Sequence, residues 1–112
     1  MGNTFGHGFT PKEIEKARGT YRRAMQWRLS NPQAWALMVA QALDLASQAQ
    51  PISAQALIES VRKKAFVDRY GNDTRTNNSY APVFARLLWL EHPETRAYIK
   101  LRRCAVCEVM GL

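Results

Sequence analysis

What the chain lacks narrows its class before any motif is read. No run approaches the ~18 consecutive apolar residues that a membrane span needs, so no transmembrane helix is expected. The opening MGNTFGHGFT has neither a basic n-region nor an apolar h-region, so no signal peptide is expected. Gly6 stands where a myristoylation pattern requires Ser or Thr. These absences point to a soluble, cytoplasmic protein. Gly2, Gly6 and Gly8 fit neither a P-loop nor a dinucleotide fingerprint. Histidine is confined to His7 and His92, and neither has the neighbours a nucleophile–base pair requires. No acidic pair stands out, since Glu13 and Glu15 read as first-turn residues favoured by the helix dipole. No catalytic residue and no cofactor are assigned, and the expectation is that the chain is not an enzyme.

Cysteine is nearly absent too, with two residues in one CxxC, Cys104 and Cys107. Two thiolates supply half of a tetrahedral zinc site, and a closed site needs four ligands. There is no second CxxC and no HxxxH, so a metal would require His92 or a second subunit. A redox CxxC normally follows a strand of a βαβ unit, which this sequence does not suggest. The pair reads as two small apolar residues on a C-terminal helix, no metal is assigned, and free thiols suit a reducing compartment.

The most informative absence is of positive charge over residues 29–61. All 16 Lys and Arg residues lie between Lys12 and Arg28 or between Arg62 and Arg103, and the net charge is +7. A basic balance of this size favours an anionic partner, with nucleic acid first.

What is present reads as helix. At 112 residues and 46% apolar composition the chain is one globular domain. We expect a flexible N-terminus over 1–9 and a single helical domain over 10–112. Thr10, Pro11 and Glu13 form a capping-box start, followed by Ile14, Ala17, Tyr21, Ala24 and Met25 at helical spacing, ending near Leu29. Asn31-Pro32 repeats the start signal for a second helix. Trp35, Met38, Val39, Ala42, Leu43, Leu45 and Ala46 cover most of its circumference, which places it at the centre of the domain. Ser53 caps a third helix with Leu57, Ile58, Val61 and Ala65 on one stripe. Over 66–76, the Gly71-Asn72-Asp73 cluster suggests a short β-hairpin or compact loop. A fourth helix follows Asn77, Asn78 and Ser79, any of which can cap, with Tyr80, Val83, Phe84, Leu87 and Leu88 as its core stripe. His92-Pro93-Glu94 ends it and begins a fifth, with Ala97, Tyr98, Leu101 and Ala105 available for packing and Arg96, Lys100 and Arg103 as a basic stripe. The fold class is therefore mostly α, about five helices with one short hairpin or loop, winged-helix or helix-turn-helix-like.

The stretch 75–88, RTNNSYAPVFARLL, raises the functional question, because a polar run stops where a core stripe begins. A helix N-terminus offers unpaired N–H groups and partial positive charge to a phosphate. Asn77, Asn78 and Ser79 can add hydrogen bonds there, and an Asn can be bidentate to adenine. Arg62, Lys63, Lys64, Arg69 and Arg75 would meet the backbone or a minor groove, and Tyr80 and Arg86 complete the candidate nucleic-acid-binding set. The opposing reading is a well-capped helix beside a solvated basic surface. Trp89 lies off the core stripe beside Leu90, which suggests a second apolar face that meets either the fifth helix or another subunit, and in a homodimer two-fold symmetry would suit DNA.

Residues 31–103 resemble a set of small phage and prophage proteins. The matching residues are Asn31-Pro32 with Trp35, Ser53-Ala54 with Leu57-Ile58-Glu59 and Arg62, Asn77-Asn78 with Tyr80, Ala85-Arg86-Leu87, and His92-Pro93-Glu94. The resemblance implies a small winged-helix-like, DNA-associated protein of phage origin and supplies no catalytic or ligand residues. The N-terminal helix and the CxxC lie outside it. The leading expectation is a small non-enzymatic protein binding double-stranded DNA, a regulator or accessory factor of a phage or mobile element. The competing expectations are a protein-interaction module, such as a phage-encoded inhibitor of a host protein, and a structural or assembly subunit. No membrane partner is expected.

Overall fold

The computed structural model describes residues 8–64 and 76–112. The chain is mostly helical, and among the described residues no strand forms. The described residues form five α-helices in order, α1 (Pro11–Ser30), α2 (Pro32–Ser47), α3 (Ala54–Arg62), α4 (Ala81–Glu91) and α5 (Ala105–Met110), with 3-10 turns at Asn78–Tyr80 and Pro93–Tyr98. The expected hairpin over 66–76 lies, apart from Thr76, outside the described residues. No described helix is long and apolar enough to cross a membrane.

Local sequence accounts for most helix starts. The Thr10 Oγ1 accepts from the Glu13 N–H (3.1 Å) and the Glu13 carboxylate accepts from the Thr10 N–H (2.8 Å), which closes the capping box of α1. Ser53 Oγ accepts from the Ala56 N–H at 3.2 Å and caps α3. Pro11, Pro32, Pro82 and Pro93 each sit in a first turn, where the missing N–H removes no helical bond. Asn31 occupies the N-cap position of α2 as expected, its carbonyl accepting from the Trp35 N–H at 3.0 Å, but its side chain makes no cap bond. Its side-chain amide and its backbone N–H both donate to the Trp27 carbonyl, at 2.9 Å each, so the same residue also ends α1.

The core also differs from the expected one. Ala34, Trp35, Met38 and Ala42 are buried, but Ala36 and Ala40 are exposed, so α2 lies at the edge and not at the centre. Alanine sustains a helix through high propensity and exposes little apolar area, so lack of charge does not by itself require burial. The central element is α4, whose Val83, Phe84, Leu87 and Leu88 are all buried. It packs against α1, α3 and both 3-10 turns. The Phe84 ring meets Trp27 of α1 at 5.4 Å, Trp35 of α2 at 5.3 Å and, edge-on, Tyr80 at 5.9 Å. Such offset and edge contacts favour aromatic rings beyond their area.

The region after α4 is the largest correction. The expected fifth helix from Pro93 stops at Tyr98, the chain runs on without helix over 99–104, and α5 begins only at Ala105. Thr95 is fully buried and its hydroxyl donates to the carbonyls of His92 (2.8 Å) and Leu88 (3.2 Å), the end of α4. Ile52 N–H then takes the Tyr98 carbonyl at 2.9 Å, and Ile52 and Ile99 form an isolated parallel bridge. Ala97 is exposed and does not pack. Arg96 turns back, donating to the Trp89 carbonyl at 2.7 Å and stacking over its ring at 4.3 Å. The stripe of Arg96, Lys100 and Arg103 is therefore not formed, and the surface offered by Trp89 is covered, leaving Leu90 exposed.

Phe84→Ala is expected to cost about 3–5 kcal/mol, since it empties the site on which three elements converge. Thr10→Ala, which removes only the cap of α1, should cost about 1 kcal/mol. Urea unfolding followed by tryptophan fluorescence measures both.

Candidate nucleic-acid interface

The polar run before α4 is a cap. Ser79 N–H donates to the Asn77 side-chain oxygen (2.9 Å), Tyr80 N–H to the Asn77 carbonyl (2.9 Å), and Ala81 N–H to the Asn78 carbonyl. Pro82 has no N–H. The N–H groups of Ser79, Tyr80 and Ala81 are thus already paired within the chain and are not offered to a phosphate as those of a bare helix end would be. The side-chain oxygens of both asparagines are also engaged, because Arg62 donates to Asn78 Oδ1 at 3.0 Å and to the Thr76 carbonyl at 3.1 Å. Bidentate recognition of adenine needs an amide oxygen and an amide N–H together. With one acceptor site of each oxygen already used, the bidentate edge of Asn77 and Asn78 is partly occupied within the chain.

Asn78 borders a groove of about 780 Å³. Its floor is apolar, formed by Ile52, Ala81, Pro82, Ala85 and Ile99. Its rim carries Gln55 from α3, Asn78 and Ser79 from the cap, and Lys100, Arg102 and Arg103 from the segment between Tyr98 and α5. The bridge between Ile52 and Ile99 places that segment against the start of α3. Arg103 is partnered, donating to Glu108 at 2.6 Å and standing over the Phe9 ring at 5.7 Å. Lys100 and Arg102 are exposed, and their side chains have no ion pair among the described residues.

The other expected site residues are divided by the fold. Lys63 and Lys64 are exposed just after α3, and Arg62 is half-exposed with Glu59 4.0 Å away. Tyr80 is half-buried against Phe84 and serves the core. Arg69 and Arg75 lie outside the described residues. Arg86 is a correction: it is only 3% exposed and cannot meet a partner's phosphate. Its guanidinium donates to the Pro82 carbonyl (2.8 Å), to the Arg102 carbonyl and to Cys107 Sγ (3.1 Å).

A second basic surface was not assigned from sequence. On α1, Lys12, Lys16, Arg18, Arg22 and Arg23 are all exposed, and at 100° per residue they spread over roughly 160° of the helix, with Arg18 and Arg22 opposite buried Ala17, Thr20, Ala24 and Trp27 and Lys16 and Arg23 flanking that buried stripe. Glu15 is the carboxylate among them. The cations span roughly 16 Å of helix, and none makes an ion pair among the described residues. Their spacing is legible in the sequence, whereas the placement of Lys100 and Arg102 depends on the helix that fails to continue past Tyr98. The Phe9–Arg103 contact brings the start of α1 beside the groove.

No protein-family model, no curated protein and no solved structure matches the chain. Among the described residues no three His, Cys, Asp or Glu side chains lie together as a metal site would require.

Replacing Arg86 by Met would leave the Arg102 carbonyl without its donor at a cost of about 1–3 kcal/mol, read as a lower urea midpoint. Arg62→Ala, at an exposed and weakly paired site, should change stability by less than about 1 kcal/mol.

Proposed function

We propose that this chain is a small, non-enzymatic protein that binds double-stranded DNA through its phosphates, as an accessory factor of the phage or mobile-element type, and that residues 77–80 do not read base sequence. The observation that carries this reading is how the cations are divided. Arg28, Arg62 and Arg103 are matched to Glu91, Glu59 and Glu108. Lys12, Lys16, Arg18, Arg22 and Arg23 on α1, together with Lys63, Lys64, Lys100 and Arg102, have no carboxylate within ion-pair distance among the described residues. A fold that pairs some arginines and leaves a whole helix face and a groove rim unmatched favours an external polyanion. Among the described residues the groove has no aromatic side chain on which a base could stack, which weighs against single strands.

A second reading has one observation of its own. Beside the α1 cations, Tyr21, Met25, Leu29 and Val109 line a shallow groove of about 410 Å³ bordered by Arg18 and Arg22, and Leu29 is 64% exposed. An acidic, amphipathic segment of a host protein would suit it.

Fluorescence anisotropy with random-sequence duplex DNA at low and moderate salt tests the proposal. Affinity should fall steeply with salt and depend little on sequence. Changing Lys100 and Arg102 together to Ala should lower the salt slope by about two, while Asn77→Ala should reduce stability and leave affinity unchanged. Absence of binding at low salt would overturn the proposal in favour of the protein partner.

A further inference from the structure

Arg86 and the two cysteines have no part in phosphate binding, yet they form the most unusual polar cluster in the interior. Arg86 is carried inward by α4 and its Nε lies 3.1 Å from Cys107 Sγ. No carboxylate pairs with it among the described residues. A buried guanidinium requires a counter-charge or a full set of acceptors, and here the sulfur is one of its acceptors. Cys107 N–H donates to the Cys104 carbonyl at 3.0 Å, which closes both cysteines into one turn. Side chains three residues apart in such a turn lie about 5–6 Å apart at Cβ, close enough for small adjustments to reach disulfide geometry. Cys104 lines the groove and is half-buried, whereas Cys107 is buried behind it. Burial acts to raise the Cys107 thiol, but the Cys104 backbone, the Arg86 guanidinium and the Cys104 side chain outweigh it and bring the thiol below its ordinary value. Lowered thiols beside a cation are the reactive ones.

We propose that Cys104 and Cys107 are a reversible dithiol–disulfide pair that exchanges with low-molecular-weight disulfides, Cys104 attacking from the groove, Cys107 resolving, and Arg86 positioning Cys107. In the first step Cys104, its proton released to solvent, attacks one sulfur of the small disulfide. A mixed disulfide forms and one thiolate of the reagent leaves. In the second step the Cys107 thiolate attacks Cys104 Sγ, closing the Cys104–Cys107 bond and expelling the second thiolate. The two protein thiols are oxidised and the small disulfide is reduced to two thiols. The inner cysteine needs no access to solvent, because its only target is its neighbour. This site stands independently of DNA binding.

The test is incubation of the reduced full chain with glutathione disulfide, acid quenching and intact-mass analysis. The wild type should become lighter by two hydrogens without accumulating a mixed disulfide. Cys107→Ser should stop at the glutathione adduct on Cys104, and Cys104→Ser should remain unmodified. An unreactive wild type, a wild type that stops at the adduct, or a Cys104→Ser variant that reacts faster than Cys107→Ser would each overturn the assignment. The role of Arg86 is read from the pH profile of the resolving step. In the wild type this step should stay fast as pH falls below the ordinary thiol range, and in Arg86→Gln it should slow there, with adduct formation at Cys104 unaffected. A wild-type resolving step that slows as an ordinary thiol would removes Arg86 from the mechanism, whether or not the variant folds.

Discussion

The convergence of Trp27, Trp35 and Tyr80 on the Phe84 ring is the constraint on which the rest of this structure depends. It joins α1, α2 and the turn before α4 at one side chain, so the position and rotation of α4 follow from it. With α4 set, Val83, Leu87 and Leu88 are available to α3 and to the 3-10 turn after His92, and Arg86 is carried inward. Above the cluster, Arg28 stacks over Trp35 at 4.9 Å and makes two bonds of 2.7 and 2.8 Å to Glu91, joining the ends of α1 and α4. This pair is partly exposed, so its contribution is modest, but it consumes a cation that would otherwise add to the free surface.

Charge in this protein is divided between structure and solvent. Glu59, Glu91 and Glu108 each answer one arginine, whereas the exposed cations of α1 and the groove rim outnumber nearby carboxylates. The cap before α4 sharpens the chemical meaning of that surface. The side-chain oxygens of Asn77 and Asn78 are engaged by Ser79 and Arg62, and donors and positive charge of the kind left on this surface match phosphate oxygens better than base edges.

Arg86 links the interior to this interface. It is tied to the Arg102 carbonyl on the groove wall and to Cys107 behind it, so the same side chain that shapes the rim also sets the chemistry of the CxxC. A polar network of this kind is costly when incomplete, and here it is completed by two backbone carbonyls, of Pro82 and Arg102, and a sulfur in place of a carboxylate.

The sequence by itself determined the local features. The capping box of Thr10 and Glu13, the Ser53 cap, the prolines in first turns, the apolar stripes of α3 and α4 and the segregation of positive charge all depend on residues within a few positions of one another, where backbone hydrogen bonding and side-chain periodicity decide the outcome. Only the tertiary structure decided the rest. The Asn31 side chain turned back to the Trp27 carbonyl and left the start of α2 without a side-chain cap, and α2 moved to the edge because α4 took the aromatic centre. Helix ended at Tyr98 where Thr95 bonded back to α4 and Ile52 took the Tyr98 carbonyl, which turned Lys100 and Arg102 into a groove rim. Arg86 looked like a surface cation and lies inside, because its partners, Arg102 and Cys107, are 16 and 21 residues away along the chain. Helical periodicity identifies a face, but which neighbour covers that face depends on contacts distant in sequence, and those form only when the whole domain packs.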